Sequence, residues 1–573
     1  MFSHVRNSLL LIILVSQLMI AQTFTGSISG TVTDDSGAVM PSVQVAIINA
    51  GTGVRTTVQT DASGNFQGLQ LPPGSYRVEV EVSGFKRFVQ EGIILQVQQH
   101  ARIDVTLSIG SVSESVLVTA DASMLEASDA QVGRVVDNRR IRELPLNTRN
   151  VYSLIFLTPG VAGSVGDNYG GTGYSINGAR TRMNETVIDG MPATHPSANG
   201  DSGIAIFPSV DAIEEFKVMA GNSPAEFGRS LGSVINIIYK SGTNDLHGSA
   251  YEFLRNSVMD ANNFFANRNG QDLTSFKRSQ FGGTVSGPIV RNRTFFMGSF
   301  EGLRQRSFAN NTSTVPTQLQ RQGDFSQTFA PNGNLVTIFD PLSTTRTESG
   351  GYVRTPFAGN VINPGRFDPV AVNVIRYYPN PNIPGNAITN ENNFFASGSA
   401  LSNMDNIDGK LDHNITETQT IFGRYSYRYN ESAPPAYFPQ EIRVAEGRIV
   451  QQNDSHNAVV NYTNTLNPTS ILNINTGFSR TFFVYNNQGL GFLPSSLGLP
   501  ASIDSAVDQQ MFPAFGAAGY QSLGGGDHRR SAFMSYNLIG SLTKILGNHT
   551  VKFGYEGRMY RANIWEARAA GTF

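Results

Sequence analysis

Cysteine is absent from all 573 residues. No disulfide, zinc thiolate or thiol nucleophile is therefore available, and the chain loses nothing by export to an oxidising compartment. Charge is scarce too: Asp, Glu, Lys and Arg make up 15% of the chain, and 42 basic against 44 acidic residues leave a net −2. That balance creates no bulk field for nucleic acid or an acidic partner. None of the eight histidines is followed by Glu at the third place, so the His-x-x-Glu zinc pair of metallopeptidases is missing. After residue 20 there is no apolar run of the roughly 20 residues that a transmembrane helix needs. Any later contact with a membrane must be made by strands. What the chain has in quantity is glycine, 58 residues, and aromatics at 10%, a mixture suited to many strands joined by tight turns.

The N-terminus supplies an address. His4 and Arg6 precede an apolar run from Leu9 to Ile20, and Ala21 stands before Gln22; residues 1–21 read as a secretory signal peptide, the alternative being a retained anchor. Residues 22–110 then alternate in about seven short segments, Ser27 to Thr33, Val43 to Ile48, Arg55 to Thr60, Asn65 to Leu69, Tyr76 to Val82, Gly92 to Val97 and Arg102 to Leu107, the number expected of a small β-sandwich. Asp34-Asp35-Ser36-Gly37, Asp61-Ala62-Ser63-Gly64 and Pro72-Pro73-Gly74 supply the turns. The phrases Gly30-Thr31-Val32-Thr33-Asp34, Thr60 to Phe66 and Leu71 to Val78 resemble the carboxypeptidase regulatory-like domain, a transthyretin-like sandwich grouped with carbohydrate-binding-like folds. No stacked aromatic platform is legible; Phe66, Tyr76, Phe85 and Phe88 read as core, and a spacer or docking role is expected.

Residues 111–245 change texture. Glu114-Ser115-Val116-Leu117-Val118-Thr119-Ala120 reads either as an extended peptide offered to a partner by strand addition or as a linking strand. Val135 to Glu143 mixes apolar and basic residues at near-helical spacing, stopped by Pro145. Ser175-Ile176-Asn177-Gly178 and Ile188-Asp189-Gly190 are strand-then-turn units, and Glu226, Gly228, Arg229 and Gly232 lead into the apolar run Val234-Ile235-Asn236-Ile237-Ile238-Tyr239. Gly228-Arg229-Ser230-Leu231-Gly232 matches the G-x-S-x-G elbow of α/β-hydrolases, but that elbow leads into a helix, whereas Ser233 to Tyr239 reads as a strand. Catalysis at Ser230 is not expected, and no catalytic, cofactor or metal-binding residue is singled out.

Beyond residue 245 the alternation lengthens toward the roughly 9 to 11 residues of a transmembrane strand. Ile421, Gly423, Tyr425, Tyr427 and Tyr429 share one face against Phe422, Arg424, Ser426, Arg428 and Asn430. Leu472, Ile474, Thr476 and Phe478 oppose Asn473, Asn475, Gly477 and Ser479, and Val551, Phe553, Tyr555 and Met559 oppose Lys552, Glu556 and Arg558. One face suits lipid and the other a wet lumen. Ala309 to Arg366 and Tyr378 to Ser402, polar and rich in Asn, Thr, Pro and Gly, are expected to be external loops.

Three motifs, Tyr174 to Arg180, Thr186 to Pro192 and Glu215 to Asn244, resemble in order the plug signatures of TonB-dependent outer-membrane receptors. Phe281 to Ile289 and Arg293 to Leu303 resemble the early barrel strands of the Oar-like branch. The resemblance implies a mainly β chain: transthyretin-like β-sandwich, mixed α/β plug domain at 111–245, and transmembrane antiparallel β-barrel at 246–573. It makes Glu114 to Ala120 a candidate TonB box, and implies as partners outer-membrane lipid, the TonB energy-transducing complex, and an extracellular small-molecule, oligosaccharide or peptide ligand, with no nucleic acid and no cofactor. Large plugged transporters have about 22 strands; about ten to twelve fit here, so the barrel is expected to be incomplete. Two rivals remain open: an adhesion or surface-assembly protein on this scaffold without import, and a soluble periplasmic sugar-binding module with an accessory hydrolase.

Overall fold

The computed structural model describes residues 25–111, 115–119, 132–144, 146, 148–165, 172–181, 183–196, 202–221, 223–231, 233–270, 272–547 and 549–568. The expected signal peptide, Glu114, Ala120, Pro145 and Gly232 lie outside them.

The first strands are β1 (Gly26–Asp34), β2 (Gln44–Asn49), β3 (Arg55–Gln59), β4 (Asn65–Leu71), β5 (Gly74–Val80), β6 (Arg87–Leu95), β7 (His100–Arg102), β8 (Val105–Leu107) and β9 (Ser115–Thr119). Two sheets, β4-β1-β7 with β8 also on β1, and β3-β2-β5-β6-β9, face each other. Their inward alternation buries Ile28, Val32, Val45, Ile47, Phe66, Val78, Val80, Ile93, Val105 and Leu107 in one core, each worth roughly 1.5–3 kcal/mol for a full Val, Leu, Ile or Phe. Phe66, Tyr76 and Phe88 are buried there and Phe85 packs against them; the Tyr76 hydroxyl donates to the Pro72 carbonyl at 2.7 Å.

The plug follows: β10 (Val132–Asp137), β11 (Val161–Val165), β12 (Thr172–Ile176), β13 (Glu185–Ile188), β14 (Met191–Pro192), β15 (Thr194–Pro196), β16 (Ser202–Ile204), β17 (Ile213–Gly221) and β18 (Val234–Tyr239). The central sheet runs β10-β17-β18-β13-β14. The helix expected from Val135 is shorter, Asn138–Glu143, because Val135 and Val136 are taken into β10 opposite Lys217 and Phe216. Asp137 caps it through the Arg140 N–H. β18 is buried along its whole length, which explains why its sequence is apolar without alternation.

The remaining strands are β19 (His247–Asn256), β20 (Phe276–Val290), β21 (Thr294–Ser313), the loop hairpin β22 (Thr345–Arg346) and β23 (Tyr352–Val353), then β24 (Phe394–Asn414), β25 (Gln419–Ala433), β26 (Ile449–Asn467), β27 (Ser470–Asn487), β28 (Asp527–Leu546) and β29 (His549–Arg568). All except the loop hairpin form one antiparallel meander, β19-β20-β21-β24-β25-β26-β27-β28-β29. β19 and β29 are its ends and do not pair with each other, so the sheet is an open barrel wall. It has nine strands rather than the ten to twelve expected, because several are far longer than a bilayer requires: β24 has 21 residues and β21 has 20. At roughly 3.4 Å per residue they outrun the roughly 30 Å hydrocarbon layer even when tilted. For the same reason Ala309 to Ser313 and Phe394 to Ser402, expected in loops, are paired strand.

Turns at one end are tight, as at residues 291–293 and 415–418, while residues 314–393, 434–448 and 488–526 are long connections at the other. The long connections share a core of Val315, Val374, Tyr378, Phe394, Phe438, Leu497, Phe512 and Leu523. The sandwich sits at the tight-turn end: the Asn244 N–H donates to the Gly51 carbonyl at 2.9 Å, and the Thr550 hydroxyl reaches Gln67 Oε1 at 3.2 Å.

Candidate functional site: the plug in its wall and the cavity above it

β13 enters a two-residue turn at Asp189-Gly190, with φ of 48° and 78°, and leaves as β14 with Ile188 opposite Met191. Positive φ at both positions is what a type I′ hairpin demands, hence the Asp-Gly pair. The turn carries Asp189 to the wall with no solvent exposure. Its Oδ2 accepts from Arg424 Nε at 2.7 Å and its Oδ1 lies 3.6 Å from Lys410 Nζ; Oδ1 also accepts the Tyr239 N–H at 3.1 Å. Arg424 is held in turn by Ser426 Oγ at 2.7 Å, Asn457 Oδ1 at 2.6 Å and the Tyr239 ring, 4.7 Å below it. The Tyr239 hydroxyl donates to Asp408 Oδ1 at 2.8 Å. Two plug strands thus present one carboxylate and one phenol to a patch of wall bearing complementary charges.

A second latch joins Glu185 Oε1 to Arg558 Nη1 at 3.1 Å, with Glu556 also on Arg558. Burial pushes the Glu185 carboxyl up and Arg558 pulls it back. A third pairs Glu226 with Lys552. The other sequence-selected residues are placed as follows. Ile176 and Ile188 are core. Asn177 and Gly178 form a second turn with both φ positive, the Asn177 amide donating to the Ala220 carbonyl. Ser175 donates to the Ala179 carbonyl at 2.5 Å. Gly228 lies in the loop before β18, and Arg229 stacks 5.1 Å from the Tyr560 ring. Asn236 is buried, and neither of its side-chain polar atoms meets a hydrogen-bond partner among the described residues. Ser230 donates to the Ser233 carbonyl at 2.5 Å and leads into β18, a strand. Ser115–Thr119 is a strand paired parallel with β6.

Above the plug, at the long-loop end, lies a cavity of about 860 Å³. Its floor is the plug tip, Thr148, Arg149, Asn150, Phe207 and Pro208; its walls include Arg278, Gln280, Glu301, Asn406, Arg428 and Asn430; its rim includes Tyr437, Phe438, Glu446 and Arg448 from the long connections. The tip is fastened to the wall by Arg278 to the Thr148 carbonyl at 3.0 Å and by Arg428 stacked 4.4 Å from the Phe207 ring. Arg149 pairs with Asp211 and stacks on Phe253 at 4.2 Å. Sequence reasoning placed Arg424, Arg428, Lys552 and Arg558 on a lumen face and singled out Asp189 and Glu226 in the plug, but paired none of them across the interface and named neither Glu185 nor the tip residues. Cations recurring on the inward face of a membrane strand, Arg424 and Arg428 on β25 and Lys552 and Arg558 on β29, were the available signal for the wall; nothing local marked the tip.

A plug latched against an antiparallel strand wall, with a cavity above it and a small β-sandwich below, defines a plugged outer-membrane barrel protein. Residues 238–573 match the Outer membrane beta barrel domain family, 127–234 the TonB-dependent Receptor Plug Domain, and 27–108 the Carboxypeptidase regulatory-like domain. The chain belongs to the outer-membrane β-barrel family, as a TonB-dependent receptor that carries a plug and an N-terminal regulatory-like sandwich, and its place is the outer membrane. It is similar to the TonB-dependent transporter Oar of Myxococcus xanthus, at 29% identity over 291 residues, 48% of this chain and 26% of that protein. Its fold is also similar to the outer membrane transporter YddB from Escherichia coli (TM-score 0.45, 13% identity, 76% of this chain and 48% of that one) and to the siderophore receptor PirA from Acinetobacter baumannii (0.41, 14%, 76% and 49%). The chain thus spans about a quarter of the curated relative's length and about half of each solved structure's.

Proposed function

We propose that this protein binds an extracellular ligand in the cavity above the plug and admits it, at the expense of energy delivered through the TonB complex, by rearranging the plug against the wall. The observation that carries this reading is the cavity itself: it opens at the long-loop end, has the volume of a small-ligand site, and is floored by a plug fastened to the wall by buried ion pairs beside a small apolar cluster. Ion pairs buried with matched hydrogen bonds hold specifically, yet cost desolvation, which suits a part that must hold and then release. The cavity's Arg, Glu, Asn and Gln side chains admit a small molecule, an oligosaccharide or a peptide. Residues 114–120 are the proposed box, and the sandwich and plug face the periplasm. No covalent chemistry is assigned, and Ser230, spent on a local turn, is not a nucleophile.

The test has two arms in this cysteine-free chain. Leu117→Cys should form a disulfide with a cysteine-bearing periplasmic domain of the energy-transducing protein in living cells. Mass spectrometry of molecules retained from growth medium by the purified protein should show a species lost on Arg428→Ala or Phe207→Ala. No cross-link and no retained species would leave the adhesion reading in its place.

A further inference from the structure

The turn at residues 96–99, between β6 and β7, leaves the sandwich and enters the plug and wall. Val97 at its tip is fully buried, and packs with Met191 and Ile238 of the plug and with Phe422, Val459 and Ile539 of β25, β26 and β28. Both main-chain polar groups of this one residue are taken by one face of β17. Glu215 Oε2 accepts the Val97 N–H at 2.6 Å, and Lys217 Nζ donates to the Val97 carbonyl at 3.5 Å. Glu215 and Lys217 stand at i and i+2, so their side chains share a face, and an acceptor beside a donor matches a peptide unit. The turn is stiff on its own side: Gln99 Oε1 accepts the Gln96 N–H at 2.7 Å, and the Gln99 carbonyl accepts the Ser27 N–H at 2.8 Å. A knob of this kind does not fit a passive spacer.

The same sheet carries the candidate box. β9 pairs with β6 from Arg87 opposite Ser115 to Glu91 opposite Thr119, and it is the edge of the sheet β3-β2-β5-β6-β9. A strand added to its free side would be joined through β9 to β6, and β6 ends two residues before Val97. Force on the box therefore reaches the knob through main-chain hydrogen bonds and covalent chain, without passing through the plug.

We propose that the 96–99 turn is a stopper: it fills the gap between plug and wall at the tight-turn end, holds plug strand β17 in register, and is withdrawn when a partner strand engages β9. Val97, Glu215 and Lys217 are then positioning residues for import. The withdrawal half rests on the import reading above; the stopper half does not.

The experiment uses Val97→Cys in the otherwise cysteine-free protein in cells, probed with a polar maleimide admitted to the periplasm, and Ser36→Cys on an exposed sandwich turn as the reference. At rest, Val97→Cys should react at least about tenfold more slowly than the reference, as protection by a closed state requires. Energising the inner membrane should raise its rate, and a protonophore should reverse the rise. Leu117→Pro and Val118→Pro, whose missing N–H groups fall on opposite edges of β9, should each abolish it. Reaction at rest as fast as the reference overturns the stopper. Protection that persists under energy while Leu117→Cys still cross-links to its partner overturns withdrawal. Absence of both cross-link and rise removes withdrawal together with the import reading, and protection at rest then decides the stopper alone.

Discussion

Replacing Asp189 with Asn keeps the shape of the turn and one oxygen for the Tyr239 N–H, but removes the charge that Arg424 and Lys410 face across the interface. Asp189 and Arg424 side chains have no exposed surface and Lys410 only 5%, so water cannot replace the lost partner. Deleting one member of a buried ion pair costs about 3–5 kcal/mol. The low end applies, because Arg424 keeps Ser426, Asn457 and the Tyr239 ring and Lys410 keeps the Tyr239 carbonyl at 3.3 Å. A loss of about 3 kcal/mol corresponds to roughly a hundredfold in an opening equilibrium. Amide hydrogen exchange of the purified protein in detergent should show it at the paired strands β13 and β18, whose protected amides include Asp189 N–H on the Ile237 carbonyl at 2.9 Å. Arg424→Met leaves Asp189 with Lys410 and should cost less, and the double variant should fall short of the summed losses, since the two sites are in contact. Exchange in Asp189→Asn within about threefold of the parent would refute the claim that this contact latches the plug.

Three further outcomes are expected. Burial, opposed by the Val97 N–H and reinforced by Glu214, pushes the Glu215 carboxyl from 4.5 to about 8; the folded state therefore binds the proton more tightly than the unfolded one, and its contribution is fully present below about pH 4.5 and declines as pH rises toward 8. Glu215→Gln should flatten that slope in thermal unfolding measured between pH 5 and 8, with Glu214, Lys217 and Asp137 left unchanged. Tyr239→Phe removes the hydroxyl that Asp408 accepts at 2.8 Å and should cost about 1–3 kcal/mol in the same exchange assay, the penalty of an unsatisfied buried group. Gly30→Ala would place a methyl 1.6 Å from the Ile103 carbonyl oxygen and 2.9 Å from Phe66; the sandwich should lose its cooperative unfolding transition by circular dichroism, since overpacking against main chain cannot be relieved by a rotamer.

The sandwich, the plug motifs and the wall were legible in sequence because each is written in short-range code. Alternation with period two assigns faces: Arg424, Ser426 and Arg428 are buried toward the plug while Tyr425 is exposed on the outer face. Asp-Gly and Asn-Gly mark turns whose backbone only such residues adopt readily. The same code misjudged lengths where polar residues continue a strand, as in Ala309 to Ser313, since pairing with a neighbour extends a strand that composition alone would end. It could not name partners. Asp189 and Arg424 are 235 positions apart, Val97 and Glu215 118, and a charge or a valine in a sequence carries no sign of what it will meet. Whether Ser115 to Thr119 is paired, whether Asp189 is latched, and where the cavity opens were decided only where the wall packs against the plug and the sandwich, because burial turns an ordinary side chain into an obligatory partner.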